Sequence, residues 1–395
     1  MSTNERWLLP QGIDESLPAE AARLESLRRK LLDMYASWGY HLVMPPFIEY
    51  LESLLTGTGH DLDLQTFKLI DQLTGRSMGV RADMTPQVAR IDAHRLKKDV
   101  PNRLCYIGTV LHTRSDGFGG SRSPLQVGAE IYGHAGVESD VEVLCLMLET
   151  FNTAGIKDVF VDIGHVGIFR GLAQQAGLDE ESEARLFEML QRKAIPEIEQ
   201  FLAELAIDKD VGGMLRALAD LHGNADVLKR AEQVFVKADP LVKDALQYLV
   251  TTANQLQRRM KDVRLHFDLA ELRGYHFHTG IVFAAFVAEQ GQEIARGGRY
   301  DDIGKVFGRA RPATGFSTDL KSLVNLSAGV NQVISSSAIF APGNNDDSLH
   351  KAIAELRAKG EQIIEELPGQ TAGAAEMNCD RVFVQRDGQW LVEKA

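Results

Sequence analysis

A carboxamide, a bare glycine and a carboxylate alternate in PLQVGAEIYG, as Gln126, Gly128 and Glu130. In an extended strand, residues two apart share a face. These three therefore suit a polar pocket with room for a ligand over the glycine. The same alternation also fits the solvent side of a half-buried strand. In RADMTPQVAR, Asp83 and Thr85 stand two apart at a strand end and can point to one face. Thr85 can equally cap a helix whose first position is Pro86. ELRGYHFHTGIVF sets Arg273-Gly274 ahead of a strand on which His276 and His278 share a face. That spacing can hold a metal, but the sequence offers no third or fourth ligand, and no metal or cofactor is expected. In ARGGRYDDI, paired glycines beside an arginine can bring backbone close to a ligand. Neither this segment nor SDGFGGSR carries the GK[ST] ending of a phosphate loop.

The elements that position these residues follow from periodicity. Residues 19–38 read as an amphipathic helix with Leu24, Leu27 and Leu31 on one face. GYHLVMPPFIEY reads as extended, and TFKLID and SMGVRADMT as a hairpin around QLTGR. RLCYIGTVLHTR and SPLQVGAEIYG are strands flanking a loop. Ser139 is expected to open the next helix, with Glu142 completing a capping box, and VFVDIG is a short strand. Residues 167–258 are helical, with Ile198, Phe201, Leu202 and Leu205 on one face. Strand character returns in RLHFDLAEL, GIVFAAFV and QEIARGGRY, and GFSTDLKSLVNL is expected as a helix. Beyond the SAGVNQVISSS linker come a strand (AIFA), a helix around Leu349–Leu367 and a hairpin turning at Asp387-Gly388. Short hairpin connections imply a mostly antiparallel sheet. The helical block reads as an insertion within it.

The chain has 395 residues, 44% of them hydrophobic, enough for a large core and more than one domain. Its net charge of -12 and lack of a long Lys/Arg run argue against binding a phosphate backbone. The three cysteines are far apart with no CxxC, which suggests neither a zinc site nor a redox pair. Cys145, among Val141, Leu144 and Leu148 at helical spacing, belongs to the core. No signal segment and no bilayer-length apolar run is seen, so the expected location is the cytoplasm, with no membrane partner.

In order and spacing these segments together resemble the catalytic core of class II aminoacyl-tRNA synthetases, and within them histidyl-tRNA synthetase. LLPQGIDESLP resembles the opening of that core. GYHLVMPPFIEY is similar to motif 1, the dimerisation segment, and RLCYIGTVLHTR through SPLQVGAEIYG to motif 2. RGYHFHTGIVF is similar to the histidine-specific signature. GGRYDDI and PATGFSTDLKSL are similar to the GGRYD segment and motif 3. The resemblance spans residues 5 to 325. It implies an α+β fold: an antiparallel sheet flanked by helices, with a helical insertion at about 167–258, in a domain covering 1–325. A small C-terminal α/β unit occupies 326–395.

The resemblance also implies what has changed. A synthetase joins an amino acid carboxylate to the α-phosphate of ATP, and fixed guanidiniums stabilise the crowded anionic oxygens. Motif 2 supplies one arginine, in an Arg-x-Glu pattern, and motif 3 another. Here His112 stands at the first position, Arg114 at the glutamate, and Ser322 at the motif 3 arginine. Asp319 brings a negative charge where a small residue is usual, and Lys321 is one position off and cannot copy a planar two-pronged donor. Losing one such donor costs about 10²- to 10³-fold in rate, so adenylation should be near background. The amino acid half is better kept. Asp83 and Thr85 match the pair that holds the ligand's α-amino group, Gln126 and Glu130 match the contacts to bound histidine, and Arg273 matches the signature arginine. Tyr275 and His278 complete the candidate histidine-binding set. Phe277 and His278 replace the two signature tyrosines, and His276 replaces its aspartate. Only about 70 residues follow the core, against the synthetase's anticodon-binding domain of roughly a hundred.

These departures together resemble the family of regulatory subunits of ATP phosphoribosyltransferase, silent relatives of histidyl-tRNA synthetase. Membership implies a non-enzymatic chain that binds a short catalytic subunit in a hetero-oligomer, dimerises through motif 1 and transmits feedback by histidine. Histidine can occupy the synthetase-like pocket or the subunit interface. An active adenylate-forming enzyme would instead show histidine-dependent pyrophosphate exchange. An amino-acid-binding scaffold for another partner would bind histidine without affecting a phosphoribosyltransferase.

Overall fold

The structure, a computed structural model, describes residues 7–55, 60–115, 120–205, 207–270, 274–275, 277–327 and 337–395. Arg273, His276 and most of the SAGVNQVISSS linker lie outside the described residues. The chain divides into two compact units, Met1–Ala328 and Gly329–Ala395.

The first unit holds a large and a small sheet. The chain gives β1 (His41–Leu42) to the large one, and β2 (Ile48–Tyr50), β3 (Phe67–Ile70) and β4 (Ser77–Val80) to the small one, ordered β2-β4-β3. It then returns to the large sheet with β5 (Asn102–Thr109), β6 (Leu125–Tyr132), β7 (Phe160–His165), β8 (His222–Gly223), β9 (Arg264–Asp268), β10 (Ile281–Phe286), β11 (Ala295–Arg299) and β12 (Ala313–Asp319). The large sheet runs β1-β5-β6-β12-β11-β10-β7-β9-β8. Only β1–β5 and β7–β9 pair in parallel, so the sheet is mostly antiparallel.

One face of this sheet is dry. Val127, Ala129 and Ile131 of β6 pack in one core with Leu144, Cys145 and Phe151 of the helix Val137–Ala154. The helix Pro18–Ser37 adds Leu24, Leu27 and Leu31 to that core, the last fully buried and contributing about 2 kcal/mol. Because side chains alternate, the polar set of β6 must face the other way. Among the described residues, six α-helices between Val166 and Arg259 form the block between β7 and β9, interrupted by the short β8.

Three expectations need correction. Ser139 does not open its helix: Gly136 is the N-cap, and Ser139 Oγ donates back to the Gly136 carbonyl while Glu142 pairs with Arg103. GFSTDLKSLVNL is not all helix. Residues up to Asp319 form β12, paired with β6 and β11, and the helix is Leu320–Leu326. Thr314, Phe316 and Thr318 are buried with a period of two, a strand signal that outweighs the helical look of the segment. In the second unit the helix Asp347–Ala358 ends well before Leu367, stopping near Gly360 at φ +88°.

That second unit is a four-stranded sheet of β13 (Ala338–Ala341), β14 (Gln362–Glu365), β15 (Arg381–Arg386) and β16 (Gln389–Lys394), ordered β14-β13-β15-β16. β14 is a strand absent from the sequence reading. The hairpin turns at Asp387 and Gly388, both with positive φ, as a two-residue type I′ turn requires. Among the described residues no helix is long and apolar enough to cross a membrane.

Candidate functional site

The polar face of β6 is read through its neighbours. Gln126 lies opposite Gly108 and Asp319, Gly128 opposite Tyr106 and Ser317, and Glu130 opposite Leu104 and Gly315. A glycine is required at 315, because a Cβ there would sit 1.4 Å from Glu130 Oε2. The notch over Gly128 is occupied: a Cβ there would lie 2.3 Å from Tyr106 Oη. The room expected for a ligand at that glycine is therefore filled by a tyrosine of the adjacent strand.

Glu130 is 1% exposed and saturated with hydroxyl donors. Its carboxyl accepts from Tyr106 Oη at 2.8 Å, from Thr85 Oγ1 at 3.3 Å and from Tyr300 Oη. Burial pushes its pKa up to about 8, against the downward pull of the tyrosine hydroxyls. Tyr300 is in turn stacked on Phe277, with ring centroids 5.0 Å apart.

Asp83 sits just above. Its Oδ1 accepts the Thr85 N–H at 3.0 Å and Gln126 Nε2 at 2.7 Å. Gln126 Oε1 accepts the Met84 N–H at 2.9 Å. Both ends of Gln126 are thus used to fix the 83–85 segment, with Asp83 on the wall of the cavity. Thr85 opens the helix Thr85–Arg90 with Pro86 in its first turn, so the helix-start reading holds for its position. Its hydroxyl serves Glu130 and not as a cap.

Asp83 and Gln126 line an open cavity of about 370 Å³ shared with His112, Arg296, Asp319 and Ser322. Asp319 belongs structurally to the helix Leu320–Leu326. Its carboxylate accepts the N–H groups of Lys321 and Ser322 and the Ser322 hydroxyl, and takes the Leu125 N–H at 2.8 Å. His112 is 8% exposed, and its Nε2 donates to the Ala82 carbonyl at 2.8 Å. Arg296 pairs with Glu293 at 3.6 Å, and Arg114 is exposed.

Tyr275 and His278 are placed elsewhere. The Tyr275 ring packs between Phe169 and Phe187 of the helical block, and its hydroxyl donates to Glu183. Arg170 lies over the same ring and donates to the carbonyls of Tyr275 and His278. The His278 ring fills the space over Gly298 and meets the edge of Phe277. The paired glycines of ARGGRYDDI make way for neighbouring residues: Gly297 for Phe283 and the Gly315 carbonyl, and Gly298 for His278. Arg299 is held by a buried two-pronged pair with Asp140.

The structure therefore brings Asp83, Thr85, Gln126 and Glu130 together, and connects His278 to them through Phe277 and Tyr300. Two members of the cluster, Tyr106 and Tyr300, were not among the candidates. For the first, an aromatic facing a bare glycine across a strand pair fills its notch, a signal that needs the register of the two strands. Among the described residues no group of three or more potential metal ligands is present.

Comparison with known proteins agrees with this geometry. The profile of the histidyl-tRNA synthetase family matches residues 12–323, and that of the ATP phosphoribosyltransferase subunit HisZ C-terminal domain matches residues 336–393. An ATP phosphoribosyltransferase regulatory subunit from Thioalkalivibrio sulfidiphilus is 61% identical over 99% of each chain. Another, from Alkalilimnicola ehrlichii, is 58% identical over 98% of this chain and 96% of its own. Among solved structures, an ATP phosphoribosyltransferase regulatory subunit/histidyl-tRNA synthetase from Bacillus halodurans superposes with a TM-score of 0.84 at 27% identity, covering 95% and 97% of the two chains. Histidyl-tRNA synthetase from Nostoc superposes with a TM-score of 0.77 at 19% identity, covering 98% and 97%, a likeness of fold.

Proposed function

Because the chain belongs to the family of ATP phosphoribosyltransferase regulatory subunits, we propose that it is a non-catalytic subunit acting with a short catalytic subunit. That partner joins ATP to phosphoribosyl pyrophosphate at the start of histidine biosynthesis. The chain activates it and relays inhibition by histidine. The observation that carries this reading is the contrast between the two halves of one cavity. At the end where a synthetase would hold phosphates, Asp319 caps the helix, Ser322 is tied to Asp319, and His112 is engaged with Ala82. Those N–H groups already serve a carboxylate, and a fixed negative charge disfavours an anion there. At the other end Asp83, held by Gln126, offers an oxygen suited to an ammonium group.

Histidine bound there would present its α-amino group to Asp83, with Glu130 and its hydroxyls beneath. Relay of inhibition requires histidine to bind two states of the complex with different affinity. The exposed Leu42, Met44, Phe47 and Ile48 around the edge strand β1 support a homodimer through this segment.

The test is a steady-state assay of the purified catalytic subunit with and without this chain, titrated with histidine. Activity should rise on mixing and fall with histidine. Unchanged activity on mixing, together with histidine-dependent pyrophosphate exchange by this chain alone, would make it an enzyme and overturn the reading.

A further inference from the structure

A basic, partly apolar face stands out on this acidic chain. The helix Thr85–Arg90 continues as a wider π-helical stretch, Ile91–Leu96, which ends at Lys97 with φ +49°. Residues 94–99 then read HRLKKD. A second segment, 302–309, lies against it. Arg309 donates to the Lys98 carbonyl at 2.9 Å and pairs with Asp99, and the Phe307 ring meets His94 edge-on at 6.2 Å. Arg311 donates to the Val100 carbonyl at 2.7 Å. The two segments thus form one fixed surface.

Arg95, Lys97, Lys98 and Lys305 are exposed there, and no ion pair to any of them is present among the described residues. Asp99 is taken by Arg309, which leaves Asp302 as the other acid of the two segments. In the same two segments three aliphatic side chains are open to solvent: Val100 at 62%, Val306 at 50% and Leu96 at 37%. Apolar contacts ringed by charge are the composition of a protein interface.

We infer that residues 94–100 and 305–309 form a docking face for an acidic protein surface carried by the phosphoribosyltransferase catalytic subunit. This inference rests on the regulatory reading above. A second copy of this chain fits poorly, because a two-fold contact would set the four cations against their own equivalents. A nucleic acid would engage the cations through phosphates but bury little of the three aliphatic side chains. Charge complementarity and aliphatic content together select an acidic protein. The face also lies at the far end of the helix that opens at Thr85, two residues after Asp83. Ten residues of helix span roughly 15 Å, so pocket and face share one rod.

The experiment compares association of the catalytic subunit with three forms of the full chain at low and high salt: the wild type, the variant Arg95→Glu/Lys97→Glu/Lys98→Glu/Lys305→Glu, and the variant Val100→Ser/Val306→Ser. The expected result is a wild-type association rate that falls with salt, and a charge-reversed variant that associates at least about ten-fold more slowly with little salt dependence. The serine variant should dissociate faster. Melting temperature and histidine affinity of the isolated variants should match the wild type. Should the quadruple variant fail to fold, Lys98→Glu and Lys305→Glu singly replace it. Wild-type rates and salt dependence in the charge-reversed chain would overturn the docking face while leaving the regulatory reading intact. So would a loss confined to binding of an RNA oligonucleotide. A wild-type chain that neither binds nor activates the catalytic subunit would remove both.

Discussion

Replacing Glu130 with glutamine isolates a single proton. The side chain is 1% exposed among Tyr106, Thr85 and Tyr300. Burial raises its pKa to about 8, against 4.5 for an ordinary glutamate. Between those values the folded protein keeps a proton that the unfolded chain has released. Stability therefore falls as pH rises, by about 1.4 kcal/mol per pH unit. His165 acts in the opposite sense. Burial, aided by Arg299 and Arg170, holds its imidazole down to about 4 against an ordinary 6.5. Across that range the unfolded chain binds the proton, and stability rises with pH. The two slopes oppose each other up to 6.5, and beyond it Glu130 acts without His165 until about 8. Over that upper window Glu130 should cost the wild type about 1.5 kcal/mol, a loss absent from Glu130→Gln. Urea unfolding followed by circular dichroism, at half-unit pH steps, gives the difference between the two proteins directly. Parallel stability curves from pH 6.5 to 8 would mean that Glu130 is ionised in the folded state, and the reasoning from burial would be refuted.

Three further outcomes follow from the geometry. Asp319→Ala removes a helix cap and leaves the Leu125 N–H unpaired, and should lower stability by about 1 to 2 kcal/mol in urea titrations. Arg299→Met strands the buried Asp140 and should cost about 3 to 5 kcal/mol, most of it recovered in Arg299→Met/Asp140→Leu; no recovery in the double variant would count against the pair as the cause. Asp83→Asn should weaken histidine binding about ten- to hundred-fold by calorimetry without shifting the urea midpoint by more than a few tenths molar. Unchanged affinity would place the effector outside this cavity.

Much of the arrangement was legible in the chain. Alternation in PLQVGAEIYG put Gln126 and Glu130 on one face, and β6 does so because its other face, Val127, Ala129 and Ile131, is core. The spacing at Asp83 and Thr85 gave their convergence though not its means, since the pair stands at a helix start and meets β6 through Gln126. The register of β5 against β6 was not legible, and with it went the tyrosine that fills the notch at Gly128. A signature segment read linearly does not show a change of direction, and the Tyr275 ring turns into the helical block, toward Phe169 and Phe187. GFSTD is strand and not helix because it pairs with β6 and β11. The burial of this segment comes from strands contributed by distant parts of the chain, information that a local window does not contain.

The cap made by Asp319 bears on how such a chain could change over generations. An arginine placed at position 322 would meet the Asp319 carboxylate beside it and be neutralised as an ion pair. Removing Asp319 first would free two backbone N–H groups for an anion, yet it would also loosen the helix and the start of β6 through Leu125. Each single step toward a phosphate site is thus either silent or harmful, and only the combination gains anything. One half-buried carboxylate with four hydrogen bonds can in this way act as a ratchet, holding this end of the cavity in its present arrangement.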